Sequence, residues 1–134
     1  MEDYRPFSFE SLDVYKEARL LVKEVYLLQE KFPVHERFAL GDQIRRSSSS
    51  ITSNIAEGSG RTSYKEKLSF LSIAFGSLTE CFSQLQIAQD LNYIEESDLY
   101  RLRPLFNRVA ALLSGLRNSY KRFLEKESVQ QSRS

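Results

Sequence analysis

Glu57 and Glu80 are the carboxylates that could work as a pair. Antiparallel helices in the right register would bring them to one level, where two carboxylates can transfer protons or hold a metal. The more common role of such a glutamate is to accept a hydrogen bond from a neighbouring amide or arginine. His35 is the only histidine, and neither a His-rich metal site nor a Cys–His nucleophile pair with orienting groups is apparent. Gly58-Ser59-Gly60 lacks the GxxxxGK spacing and the preceding strand of a phosphate loop. The expectation is a chain that is not an enzyme and uses no metal or cofactor. A hydrolase built on Glu57 and Glu80 is the competing catalytic reading.

The basic residues carry more information. Between Asp98 and Glu125 stand Arg101, Arg103, Arg108, Arg117, Lys121 and Arg122, with no acid among them. On a helical wheel Arg101, Arg108 and Arg122 flank one side of an apolar face, and Arg103, Arg117 and Lys121 the other. Arg45, Arg46 and Arg61 add positive charge near the second helix. Such residues commonly solvate a helix and cover its apolar edges with their stems. Repeated around an oligomer, the same strips sum to a positive field that attracts phosphates. Two partner classes follow: structured RNA or DNA held through its backbone, or a protein partner met by a scaffold that binds no nucleic acid. No groove-reading motif or aromatic stacking surface is visible, so little base specificity is expected.

Four helices, at roughly 9–32, 36–57, 63–91 and 97–125, position these side chains, and 126–134 reads as a frayed tail. In the first, Val14, Ala18, Leu21, Val25, Leu28 and Phe32 repeat in steps of four and three, and Pro33 ends it. Leu20 and Leu27 sit one heptad apart on a different face and predict a partner helix. In the second, Leu40, Ile44, Ile51 and Ile55 form the apolar stripe, beside a small polar stripe of Gln43, Ser47, Ser50, Asn54 and Glu57. Gln43, Ser50 and Asn54, with Glu57 and Glu80, are assigned to a polar seam that fixes helix register or subunit packing. Gly58 is the expected left-handed cap. Ser63 and Glu66 have capping-box spacing. The third helix carries two adjoining apolar seams, which makes it central. Asn92 is the expected end of that helix, Ser97 the cap of the fourth, and Pro104 an expected kink. The outer face of the fourth helix (Asn107, Ala111, Ser114, Gly115, Asn118) is small and uncharged, which permits close approach of another copy.

At 134 residues, 41% hydrophobic and 28% charged, the chain is the size of one domain and reads as a soluble all-α, up-down-up-down antiparallel four-helix bundle. Its 19 basic and 18 acidic residues leave net charge uninformative, so charge distribution must decide. Cys81 alone excludes an intrachain disulfide. No apolar run has membrane-spanning length and the first residues lack signal-peptide character, which predicts no membrane contact and a cytoplasmic setting.

The run Gln43, Arg45, Arg46, Ser50, Ile51, Asn54, Ile55, Ala56, Glu57, Gly58, followed by Phe70, Leu71, Ile73, Ala74, Gly76, Ser77, Leu78 and Glu80, resembles a family of four-helix-bundle proteins. These are encoded in intervening sequences of bacterial large-subunit ribosomal RNA genes, and are related to accessory variability proteins of diversity-generating retroelements. The resemblance spans nearly the whole chain, from Leu12, Val14, Tyr15 and Ala18 through Phe32, Pro33 and Glu36; Ser47 and Ser48 stand where alanine is the family's habit. It implies a ring-shaped homopentamer that holds nucleic acid, with a reverse transcriptase as a partner enzyme.

Overall fold

The computed structural model describes residues 5–133. Its elements are a 3-10 turn at Ser8–Ser11 and four helices: α1 (Asp13–Gln29), α2 (Leu40–Ser59), α3 (Tyr64–Asp90) and α4 (Glu96–Arg133), with a second 3-10 turn, Val34–Glu36, between α1 and α2. No strand occurs among the described residues. Each helix packs on the two beside it, in the cyclic order α1, α2, α3, α4. The apolar stripes meet in one core, with Leu21, Ile44, Ile51, Ile55, Leu85 and Leu113 among its fully enclosed side chains.

Contacts fix how the helices lie. Between α2 and α3, Gly58 meets Phe70, Ser50 meets Ser77 and Ser47 meets Gln84. Between α1 and α4, Glu17 meets Arg108, Glu24 meets Arg101 and Lys31 meets Asp98. In both pairs residue numbers fall along one helix as they rise along the other.

Several helix ends differ from the sequence expectation. Leu12 is extended (φ −70°, ψ 127°), so α1 begins at Asp13 and residues 8–11 form a separate turn. The second helix starts at Leu40 rather than near 36, because Val34–Glu36 is spent on the 3-10 turn after Pro33. Gly58 is not a left-handed cap: it is buried inside α2, and Gly60 ends the helix with φ −85°. A Cβ at Gly58 would lie 2.9 Å from the Cβ of Phe70, so this glycine permits α2 and α3 to touch. Lys67 of α3 donates to the carbonyls of Ser59 (2.8 Å) and Gly58 (3.4 Å), satisfying the end of α2 that a glycine cap would otherwise serve.

Ser63 caps α3 as expected, its hydroxyl accepting from the Glu66 amide at 3.1 Å. Asn92 has φ 61°, and Tyr93 N–H donates to Ala88 while Asn92 N–H donates to Gln89, the paired bonds of a Schellman ending. At the start of α4, Asp98 rather than Ser97 does the capping. Its Oδ2 accepts from the Glu95 amide at 2.9 Å while Oδ1 accepts from Lys31 Nζ at 2.8 Å. Helix α4 runs through Pro104, and the stretch expected to fray is helical to Arg133. Met1–Tyr4, and Ser134, the last of the expected tail, lie outside the described residues.

Candidate nucleic-acid interface

The carboxylate pair does not form. Glu57 is exposed and reaches Arg61 on its own helix at 4.0 Å. Glu80 is exposed and accepts from Gln84 at 3.3 Å. With Gly58 level with Phe70, Glu80 stands ten residues further along α3, about 15 Å at helical rise. Among the described residues no group of three or more His, Cys, Asp or Glu could hold a metal. His35 is exposed in the turn after Pro33.

The polar seam does form, with altered membership. Ser50 Oγ and Ser77 Oγ are 2.8 Å apart, and Asn54 Nδ2 donates to Ser50 O (2.8 Å) and Oγ (3.0 Å). Ser47 Oγ donates to Gln84 Oε1 at 2.8 Å and to its own helix at Ile44 O. Buried Ser48 is satisfied in the same way by Arg45 O, so hydroxyls where alanine was expected carry no unpaired polar cost. Gln43 is exposed and stands outside the seam. Cys81 lies against the seam. Burial pushes its thiol up to about 12; a hydrogen bond with Ser47 pulls the other way, and the Glu80 charge adds to the rise.

The cations divide sharply. Arg101 is held by Glu24 at 3.1 Å and Arg108 by Glu17 at 3.2 Å, both acids from α1. Arg45 turns inward, donating to Gln29 Oε1 and to Arg37 O (2.7 Å), and so ties α1 and the 3-10 turn to α2. Arg46 pairs with Asp42 at 3.2 Å. Arg61 lies over the Phe70 ring at 4.7 Å, beside Glu57. Arg103 lies over Phe82 at 4.7 Å and meets no acid among the described residues. Arg117, Lys121 and Arg122 are exposed and have no acidic partner among the described residues.

At the end of the bundle where the α2–α3 turn meets α4, Lys121 and Arg122 fall in sequence within an aromatic cluster that the sequence reading missed. Tyr64 stacks on Phe123 (5.2 Å between centroids, 16° between planes) and tilts against Tyr120 at 5.8 Å. Lys67 lies over Tyr120 and Lys126 over Phe123, each at 5.6 Å. Burial, and then the neighbouring Tyr64, raise the Tyr120 hydroxyl above its ordinary value. Phe123 remains 44% exposed, so an aromatic surface stands among cations. The spacing of Tyr120 and Phe123 placed both on the apolar face; only the crossing of α3 and α4 shows that Tyr64 joins them at the rim. Two acids stand close by: Glu127 lines a hollow with Thr62 and Ser63, and Glu125 one with Arg122 and Lys126.

Comparison with known proteins adds a lineage. The sequence model of the 23S rRNA-intervening sequence protein family matches residues 10–115. No curated protein matches the chain. A crystal structure from Bacteroides thetaiotaomicron, described as a protein with unknown function from the S23 ribosomal protein family, superposes with a TM-score of 0.71 at 21% identity. The match covers 78% of this chain and 97% of that one, a likeness of fold. No helix among the described residues is long and apolar enough to cross a membrane.

Proposed function

The chain belongs to the 23S rRNA-intervening sequence protein family, and from that premise we propose that it is a non-catalytic protein that binds structured RNA or DNA through phosphate contacts. The observation that carries this reading is the charge map of α4. From Leu99 to Leu124 it contains no acid, and only Arg101 and Arg108 are neutralised from another helix. Arg103, Arg117, Lys121 and Arg122 are left for a ligand. Of these, Lys121 and Arg122 stand beside Tyr64, Tyr120 and Phe123, a combination that holds a backbone by charge and an unpaired base by stacking.

In this reading the bundle is antiparallel and up-down-up-down, which the opposed run of contacts between neighbouring helices supports. It assembles as a ring, a pentamer on the family resemblance, so that the α4 patch is repeated. It works in the cytoplasm and presents nucleic acid to an enzyme such as a reverse transcriptase. The direct test is charge reversal at two exposed positions. Lys121→Glu with Arg122→Glu should keep the helical circular dichroism and weaken binding of a labelled structured RNA by at least tenfold at 100 mM salt, about the loss of two phosphate contacts. Unchanged affinity in the folded variant would remove this surface from the account.

A further inference from the structure

We infer that Leu20 and Leu27 of one copy of the chain seat in two cavities of the α3–α4 groove of a second copy, giving a head-to-tail contact. This rests on the self-association included in the proposed function and gives it a surface. Leu20 and Leu27 are 54% and 51% exposed, on a different face of α1 from its buried apolar stripe. They lie one heptad apart, about 10 Å along the helix and nearly on one line.

The groove between α3 and α4 has the same repeat. Leu71, Ser72 and Phe75 line one cavity of about 110 Å3. Leu78, Thr79 and Phe82, each seven residues further on, line another of about 200 Å3. An apolar cavity of about 150 Å3 takes a benzene molecule, so both are of side-chain size. Two side chains at i and i+7 of a single helix reach two pockets so spaced.

Charge points to the same occupant. Arg103 rims the larger cavity and Arg117 the smaller, neither with an acidic partner among the described residues. Beside the leucines, α1 offers Asp13, Glu17 and Glu24. The last two already accept from Arg108 and Arg101, but a carboxylate has lone pairs for a second guanidinium. Gly76 adds a third sign. A glycine inside a helix costs about 1 kcal/mol against alanine, and apart from the adjoining backbone of its own helix nothing described lies within 4 Å of where its Cβ would stand. It falls between Ser72 and Thr79 and leaves room for an approaching backbone.

Because the leucines and the groove sit on different faces, the contact is not self-paired. Each copy keeps one free knob face and one free groove until a ring closes.

The test is complementation between two variants altered only at exposed residues, with circular dichroism checking the fold. Leu20→Glu with Leu27→Glu removes the knobs; Ser72→Glu with Thr79→Glu places acids at the groove rim, beside Arg103 and Arg117. Wild type should sediment as an oligomer at tens of micromolar. Each variant alone should be monomeric, its self-association weakened on the order of a hundredfold by loss of two leucine burials. Mixed, they should form a 1:1 dimer and nothing larger, since one intact knob face and one intact groove remain. If either variant keeps the wild-type mass, or the mixture stays monomeric, the contact lies elsewhere and this inference falls while self-association stands. A monomeric wild type would overturn both. The RNA-binding reading is tested separately, at Lys121 and Arg122.

Discussion

Replacing Gly58 by alanine tests the packing of the bundle at its tightest point. Alanine is the better helix former, by at most about 1 kcal/mol at an interior position, and propensity alone predicts a more stable protein. The geometry predicts the reverse. The new methyl would lie 2.9 Å from Phe70 Cβ and 3.4 Å from Lys67 O, whereas carbon atoms rest at about 3.5–4.0 Å. Both carbons are fixed directly to helix backbones, so no rotamer change relieves the contact. Helices α2 and α3 must separate by most of an ångström, which also strains the 2.8 Å Ser50–Ser77 bond further along the same interface. Overpacking of this kind costs about 1–3 kcal/mol, and a rigid Cβ–Cβ contact belongs at the upper end. The net loss is then about 2 kcal/mol. Gly115→Ala is the control: it too is helical, and nothing lies within 4 Å of its missing Cβ, so it should gain about 0.5–1 kcal/mol. Thermal melts at one low protein concentration should separate the two variants by about 10 °C, at roughly 4 °C per kcal/mol for a domain of this size. Gly58→Ala melting at or above wild type would refute the close-packing assignment.

Two further outcomes follow from titrating groups. Burial raises the Asp98 carboxyl, but the Lys31 hydrogen bond, the Glu95 amide and the charges of Lys31 and Arg101 outweigh it and hold the pKa below the ordinary 3.8. A depressed folded value stabilises above the unfolded pKa, and the benefit is lost as pH falls through the folded one. Asp98→Asn should therefore be less stable than wild type in urea at pH 7, with the gap narrowing as pH falls below about 4; a gap that stays constant as pH falls would contradict the linkage. For Cys81, a thiol pushed up to about 12 from 9.0 holds roughly a thousandfold less thiolate than the unfolded chain. Labelling by a thiol reagent at pH 8 should be slow in the native protein and track unfolding as urea is raised. Fast native labelling would place Cys81 outside the closed core.

What the sequence made legible was local. The core stripes of α1 and α2, the Ser63 cap and the Asn92 ending each depend on residues within a turn or two, and spacing alone encodes them. Gly58 was misjudged because glycine near a helix end has two uses, a left-handed cap and a close approach. Only the position of Phe70 on the opposing helix decides between them. The helix expected from about residue 9 begins at Asp13, because residues 8–11 form a separate 3-10 turn and Leu12 is extended, a break that apolar spacing does not encode. The candidate site was half legible. The acid-free run of α4 is plain in one dimension, but its neutralisation at Arg101 and Arg108 depends on the register of α1 against α4. The cluster of Tyr64 with Tyr120 and Phe123 joins residues more than fifty positions apart, beyond the reach of any periodicity.

The central claim is tested most directly by the salt dependence of RNA binding. Purified, nucleic-acid-free protein is titrated into a labelled structured RNA across a series of salt concentrations. Lys121 and Arg122, which the contact between copies leaves free, predict a linear fall of log affinity with log salt, with a slope of magnitude about 2 for one engaged copy and steeper as further copies of a ring engage. Affinity that is absent at low salt, or indifferent to salt, would contradict the account and leave α4's arginines as the solvated flank of a protein-binding bundle.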